Sequence, residues 1–202
     1  AGMLVHGEYT VIAHFFFLKK LLVGAEKLRF FLDMDPGMAA GALAAFPDET
    51  LAKTCDAFLV KINKDLTTTQ KLRKQQETER ELDKHRAAYP DLRDKDLKRM
   101  LLAERLNEPT IINGKPWVIH PFPDMDEPEK STHHITDLDD RAYDPDHLTN
   151  LHNKASLHAI DLFFMQVRRR ISLLERPITS SSNKSKRWYG YNAYNPKRII
   201  KL

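Results

Sequence analysis

Residues 28–62, LRFFLDMDPGMAAGALAAFPDETLAKTCDAFLVKI, decide the predicted fold. The segment opens with an apolar and aromatic run, residues 28–32, followed by the turn-forming Asp35-Pro36-Gly37. This is the pattern of a buried strand that enters a tight turn. Alanine-rich residues 38–46 favour a short helix, and apolar residues 57–62 favour a second strand. A strand, a helix and a strand in this order predict a parallel βαβ unit, so we expect an α/β fold, with mixed α+β as the alternative.

Helices and a hairpin are predicted on either side of this unit. Residues 9–22 carry apolar side chains at helical spacing, with Thr10 as a candidate N-cap. Residues 68–88 are rich in Lys, Arg, Gln and Glu around most of the circumference of a predicted helix, and Asp94 is a candidate cap of a second helix that ends near Leu106, so residues 65–108 are predicted to be a helical insertion. Asn113-Gly114 between two apolar runs predicts a hairpin with a type I′ turn. The acidic, proline-containing residues 120–136 are predicted to be a connection.

A long helix is predicted from Asp144-Pro145, which supply an N-cap and a first-turn proline, to Pro177. Its last part, ASLHAIDLFFMQVRRRISLLERP at residues 155–177, repeats apolar residues at alternating three- and four-residue steps. That spacing predicts one buried stripe, with Asp161, Arg168 and Glu175 along one flank of it. The stripe consists of Leu157, Ile160, Phe164, Val167, Ile171 and Leu174.

The composition excludes several classes of protein. Of the 202 residues, 42% are hydrophobic and 30% are charged, as is typical of a soluble globular protein. A single cysteine, Cys55, excludes an internal disulfide and favours a reducing compartment, so we expect a cytoplasmic protein. The longest apolar run, residues 11–22, is too short for a bilayer, which requires about 20 apolar residues. No membrane partner is therefore expected.

Charge is distributed unevenly along the chain, although the net charge is only +4. Ten acids and three bases lie between residues 121 and 161, whereas ten bases and one acid lie between residues 168 and 202. A basic segment of this kind predicts a polyanion partner, usually a nucleic acid, and the alternative is a tail that only increases solubility. Bases can neutralise phosphates while an aromatic ring stacks on a nucleobase. The predicted nucleic-acid-binding residues are Arg168, Arg169, Arg170, Lys184, Lys186, Arg187, Trp188, Lys197 and Arg198.

Asp33 is a candidate metal ligand because it follows a predicted strand, at the end where α/β sheets usually bind ligands. A second carboxylate from a distant helix would make an oxygen-rich site suited to Mg²⁺ or Mn²⁺. The simpler interpretation is that Asp33 hydrogen-bonds to the loop backbone. A cluster of histidines offers an alternative metal site, although their spacing matches no specific zinc pattern. They are His120, His133, His134, His147, His152 and His158.

Several stretches of the chain resemble the DDE-type transposases of bacterial insertion sequences. They are HGEYTVIAHFFFLKKLL at 6–22, FFLDMDPGMAAGALAAF at 30–46, SLHAIDLFFMQVRRRISLLERP at 156–177 and RWYGYNAYNPKRI at 187–199. The resemblance implies a ribonuclease H-like catalytic domain, here incomplete and carrying a helical insertion. It also implies metal-dependent cleavage and strand transfer of DNA at the ends of an insertion sequence.

The resemblance assigns roles to individual residues. It implies two divalent ions, Mg²⁺ or Mn²⁺, with Asp33 as the second acid and Asp161 as the third, both catalytic and both metal ligands. Glu175 is the alternative third acid, and Arg168 takes the place of a base that some family members carry seven residues after that acid. The first acid is expected on a strand upstream of this chain, since Glu8 is a poor substitute. We therefore expect a fragment that is inactive alone.

Four segments are expected. Residues 1–64 are the first part of the catalytic core, 65–108 the helical insertion, 109–177 the second part of the core with the acid-bearing helix, and 178–202 a basic aromatic tail. DNA is the expected partner, and a homo-oligomer on DNA is a further expectation. Two other functions stay open: a non-enzymatic DNA-binding module, and a metal-dependent phosphohydrolase that uses the histidine- and aspartate-rich residues 120–161.

Overall fold

A computed structural model describes residues 2–122, 124, 126–137 and 143–170, without the side chains of residues 2–6 and 36. The chain divides into two compact units, Ala1–Leu157 and His158–Leu202. The first unit contains a five-stranded mixed sheet with the strand order β1-β2-β5-β4-β3. Helices accompany this sheet, so the fold is a mixture of α and β structure. The strands are β1 (Leu28–Asp33), β2 (Cys55–Lys61), β3 (Thr110–Ile112), β4 (Lys115–Ile119) and β5 (Ser131–His134).

The predicted βαβ unit is confirmed. Strands β1 and β2 are parallel, with Leu28 opposite Cys55 and Asp33 opposite Val60. Helices α2 (Pro36–Ala45) and α3 (Pro47–Leu51) connect them. The carboxylate of Asp35 caps α2 by accepting a hydrogen bond of 2.8 Å from the Gly37 amide, with a proline in the first turn.

The predicted hairpin is also confirmed. Strands β3 and β4 are antiparallel, and Asn113 and Gly114 between them have φ values of 52° and 73°. Two successive positive φ values are the requirement of a type I′ turn, which Asn-Gly meets at low conformational cost.

The prediction that residues 120–136 are a connection is wrong over residues 131–134, which form strand β5. It lies in the middle of the sheet, antiparallel to both β2 and β4, and all four of its residues are buried. Its sequence, Ser-Thr-His-His, contains no aliphatic residue, so hydrophobic periodicity gives no strand signal here. The strand is specified by its neighbours, because an extended segment between β2 and β4 satisfies the backbone groups of both.

The remaining helices of the first unit are α1 (Gly2–Leu21), α4 (Thr68–Ala88), α5 (Asp94–Asn107) and α6 (Pro145–Lys154). Helix α1 begins before the predicted start, so Thr10 lies inside the helix and does not cap it. Helices α4 and α5 lie within the predicted insertion and pack through Leu82, Leu97 and Leu101. Among the helices that the structure describes, none combines the length and the apolar character that crossing a bilayer requires.

The core lies on both faces of the sheet. Alternate residues of β2 point to opposite faces, so Ala57 joins one apolar cluster and Phe58 joins the other. Helices α1 and α2 cover the first face in close contact: a Cβ atom on Gly41 would meet Cδ2 of Phe15 at 2.6 Å. Glycine is therefore required at this helix crossing.

The predicted long helix is wrong, since it is two helices, α6 and α7 (His158–Arg170). Ala155 ends α6 with an extended backbone, and the buried carboxylate of Glu127 then binds the chain. Its Oε1 accepts 2.7 Å hydrogen bonds from the Ser156 hydroxyl and from the Leu157 amide. The predicted buried stripe is also wrong over α7, which has no buried residue; Ile160 and Phe164 are 45% and 46% exposed.

Candidate nucleic-acid interface

A cleft of about 660 Å³ lies at the carboxyl ends of the parallel strands β1 and β2. Asp33 ends β1 and borders this cleft, so the prediction that it lies at the carboxyl end of a strand is confirmed. Apolar side chains and charged ones both line the cleft. The apolar residues are Met34, Ile62, Ile112 and Ile119, and the polar ones are Asp33, Lys61, Asn63, Lys64, Asp65, Glu129 and Ser131.

The carboxylate of Asp33 is half exposed and engaged on both oxygens. Its Oδ1 accepts a hydrogen bond of 2.9 Å from the Met34 amide, as the simpler interpretation of this residue predicted. Its Oδ2 accepts one of 2.8 Å from Nζ of Lys64, whose side chain is 56% exposed. A lysine therefore neutralises this carboxylate in the structure.

Glu129 also lines the wall of the cleft. It has a φ of 53°, and its Oε2 accepts a hydrogen bond of 2.6 Å from the side-chain amide of Asn63. Its Oε1 pairs with the ammonium group of Lys74 on α4. The hydrogen bonds from Asn63 and Lys74 hold the pKa of Glu129 below its usual value. This pair brings the start of the charged helix α4 to the edge of the cleft.

Several lysines lie in the cleft or beside it. Lys61 and Lys64 line the cleft directly, and Lys74 contacts its wall. Lys71 lies one turn before Lys74 on the same face of α4. Ammonium groups in an open cleft can bind phosphate oxygens, and the apolar floor can accept the face of a base or sugar.

The described residues do not make a complete metal site. In residues 2–122, 124, 126–137 and 143–170 no group of three or more His, Cys, Asp or Glu side chains is placed to hold a metal ion. Asp33 with its lysine partner therefore does not fit Mg²⁺ or Mn²⁺ unaided, because such ions require several oxygen ligands.

Four of the predicted histidines, two on β5, one directly after β4 and one on α6, are buried and have protein partners. The Thr132 hydroxyl lies 2.8 Å from Nδ1 of His152 and 3.3 Å from Nε2 of His120. Nδ1 of His133 donates to the Pro116 carbonyl at 2.8 Å, and Nε2 of His134 lies 3.0 Å from the Thr136 hydroxyl. Burial lowers the pKa of both His120 and His152 to about 3.

A buried ionic cluster around Asp56 was not predicted from the sequence. Asp56 is fully buried in β2; its Oδ1 accepts a hydrogen bond of 2.7 Å from the Tyr143 hydroxyl. Its Oδ2 lies 3.2 Å from Nζ of Lys27, and Nε2 of His134 lies 3.7 Å from Oδ1. Burial acts to raise the pKa of Asp56, but the contacts with His134, Tyr143 and Lys27 outweigh it and hold the pKa well below its ordinary value. An acid inside the apolar strand CDAFLVK was the available signal.

The other predicted site residues belong to the second unit. Asp161 lies exposed in the first turn of α7, and Arg168, Arg169 and Arg170 form its last turn. The guanidinium carbon of Arg168 lies 6.0 Å from the centre of the Phe164 ring. The meeting of Asp33 with Asp161 stays a prediction. Glu175, Lys184, Lys186, Arg187, Trp188, Lys197 and Arg198 lie outside the described residues.

Comparison with models of known protein families, with curated proteins and with solved structures finds no match to this chain.

Proposed function

We propose that this chain is a piece of a DDE-type DNA transposase that contributes two catalytic carboxylates, Asp33 and Asp161, and part of the DNA-binding surface. The observation that carries the proposal is the position of Asp33. It is an exposed acid at the carboxyl end of a parallel strand, in an open cleft bordered by lysines. In this proposal the mixed sheet is an incomplete ribonuclease H-like sheet, and DNA lies along the cleft.

The lysines around the cleft support a nucleic-acid partner. Lys61 and Lys64 are exposed beside Asp33, so a DNA backbone can reach both. Phosphate oxygens would compete with Asp33 for the ammonium group of Lys64 and would leave the carboxylate available. The bases predicted on α7 and in the C-terminal tail would extend the same kind of contact.

The proposed parent protein uses Mg²⁺ or Mn²⁺, which would polarise the phosphodiester to be cleaved. Asp33 and Asp161 are the proposed ligands. Because the described residues make no complete metal site, we expect this polypeptide alone to leave DNA uncut in the presence of either ion.

The DNA-binding part of the proposal is tested by fluorescence anisotropy with labelled duplex DNA over a range of salt concentrations. Replacing Lys61 and Lys64 by alanine should weaken binding and reduce the log–log salt slope by about 2, since each neutralised phosphate contributes about 0.9. The matched control replaces Lys84 and Lys95, two exposed lysines of the insertion, and should retain most of the slope. Equal effects of the two double variants would contradict a DNA site at the cleft.

A non-enzymatic DNA-binding module is the second candidate, favoured by the Asp33–Lys64 ion pair, which neutralises the acid without a metal ion. Electron paramagnetic resonance of Mn²⁺ separates the two candidates. A transposase fragment should bind Mn²⁺ in its DNA complex and lose that binding in Asp33→Asn. A binding module should take up no more Mn²⁺ than its DNA does alone, and Asp33→Asn should strengthen its affinity for DNA because a negative charge is removed beside Lys64.

A further inference from the structure

A small cavity of about 100 Å³ is lined by residues of α5, of α6 and of the connection between β4 and β5. It shares no residue with the cleft that contains Asp33. Sites for drug-sized ligands enclose roughly 300–1,000 Å³, whereas one water molecule takes about 30 Å³ of liquid. The cavity therefore suits a ligand of only a few atoms. Its polar lining consists of Lys98, His120, Asp124, Lys130 and Asn153.

The walls of this cavity are held in place by the sheet and by the helices. His120 and Lys130 are 8% and 7% exposed, and the His120 amide donates a hydrogen bond of 3.0 Å to the Lys130 carbonyl. This bond continues the pairing of β4 with β5. On the helical side, Arg99 of α5 forms an ion pair of 2.8 Å with Asp146 of α6. A ligand would therefore enter a preformed site.

Among the described residues, several hydrogen-bond donors of the lining have no acceptor. An ammonium group has three N–H donors, and Glu127 accepts one from Lys130 at 2.8 Å. Lys98 forms no hydrogen bond or ion pair with another residue that the structure describes. The side-chain amide of Asn153, which is exposed on α6, adds two N–H donors. Unused donors beside two ammonium groups favour an anionic ligand.

His120 contributes a ring nitrogen to the same cavity. Its Nε2 lies 3.3 Å from the Thr132 hydroxyl, and its Nδ1 makes no hydrogen bond within the described part of the chain. Burial and the nearby Lys130 lower the pKa of the ring to about 3, so the imidazole is neutral and carries one proton. When the Thr132 hydroxyl donates to Nε2, that proton lies on Nδ1, which is then a further donor. A polar group buried this deeply without a protein partner indicates a ligand or a water molecule at this point.

We propose that this cavity binds a small tetrahedral oxyanion of the phosphate type, either free or as the end of a phosphomonoester. Its oxygens accept hydrogen bonds from the unused donors of the lining, which belong to Lys98, His120, Lys130 and Asn153. This site is separate from the cleft and does not rest on the proposed DNA function.

Two carboxylates limit the affinity of the site. Asp124 is exposed and lines the cavity, and Glu127 pairs with Lys130. An anion is repelled by Asp124 and must share Lys130 with Glu127, so we expect a dissociation constant in the millimolar range. Neutralising Asp124 should therefore strengthen the binding of an anion, whereas it would weaken the binding of a cation.

A titration of the full chain with sodium phosphate at pH 7.5 and constant ionic strength, followed by nuclear magnetic resonance, tests the proposal. We expect saturable shifts of the His120 ring and Asn153 amide signals, which sodium chloride does not produce. Lys98→Gln should raise the dissociation constant about tenfold because it removes a charge-assisted hydrogen bond, and Asp124→Asn should lower it. Lys95→Gln, at an exposed position of the same helix, is the matched control and should bind as the parent does. Shifts that do not saturate, or equal effects of Lys98→Gln and Lys95→Gln, would overturn the proposal.

Glycerol 3-phosphate distinguishes the two sources of the oxyanion. If it shifts the same signals with the same dependence on Lys98, the site accepts the end of a phosphorylated molecule. If only inorganic phosphate does so, the ligand is the free ion. The variant Lys61→Ala/Lys64→Ala, which tests the DNA cleft, should bind phosphate as the parent chain does, so the two proposals fail separately.

Discussion

Asp56 is the most strongly constrained charge in the first unit. It is fully buried, while Lys27 and Tyr143 reach it from separate segments of the chain. Replacing one partner of a buried ionic cluster leaves the others desolvated without compensation.

We expect Asp56→Ala to lower the free energy of unfolding by about 3 kcal/mol, measured by urea denaturation at pH 7. Asp91→Ala, which removes an exposed acid, is the control and should change it by less than about 0.5 kcal/mol. The pKa of Asp56 is depressed in the folded state, so its contribution is complete above the unfolded pKa of about 4 and is lost as the pH falls further. A loss below 1 kcal/mol would mean that the cluster contributes little.

His120 and His152 should make the stability of the fold depend on pH above the range in which Asp56 titrates. Their pKa values are lowered to about 3, so both stay neutral in the fold while the unfolded chain takes up protons below about pH 6.5. Stability should fall with decreasing pH from 6.5 toward 3, at about 1.4 kcal/mol per pH unit for each histidine. His152→Gln should reduce this slope between pH 6 and 5, and His14→Gln, at an exposed position of α1, should not. Equal slopes in all three proteins would contradict the assignment.

At the level of elements, the break between α6 and α7 depends on a buried carboxylate. Glu127 and Lys130 are 5% and 7% exposed and form a hydrogen bond of 2.8 Å. Burial acts to raise the pKa of Glu127, but Lys130 and Ser156 outweigh it, and the pKa lies below its usual value. The ion pair and the end of α6 are therefore coupled.

We expect Glu127→Gln to cost about 3 kcal/mol in thermal or urea unfolding because it leaves the Lys130 ammonium group buried without its counter-charge. Adding Lys130→Met should recover a large part of that loss, since a buried pair replaced by neutral groups is often tolerated. A double variant as unstable as the single one would assign the effect to the Ser156 and Leu157 hydrogen bonds instead.

The elements that the sequence predicts well are those whose signal is local. Asp35-Pro36 fixes the start of α2, and Asn113-Gly114 fixes the hairpin, because capping and turn geometry depend on a few adjacent residues. Strand β5 was missed because its position depends on β2, about 75 residues earlier in the chain by the pairing of Phe58 with His134. The helix break was missed for the same reason, since Glu127 acts on Leu157 from 30 residues away.

At the scale of the whole molecule, the sequence located Asp33 at the edge of the sheet but not its neighbours. The Lys64 ammonium group reaches Asp33 across 31 residues, and Glu129, which lines the cleft, pairs with Lys74 of α4. Such contacts follow from the register of the sheet, which no local pattern encodes. The carboxylate pairing of Asp33 with Asp161 stays a prediction that the Mn²⁺ experiment addresses.

The place of β5 has a consequence for synthesis on the ribosome. The centre of the sheet closes only when residues 131–134 have left the exit tunnel, because β5 separates β2 from β4. Until then β1 and β2 form a two-stranded sheet that α1 and α2 cover on one face, and β2 lacks its second strand neighbour. The apolar strands of the nascent chain should therefore need protection from aggregation during that interval, as expected for slow, non-local pairing.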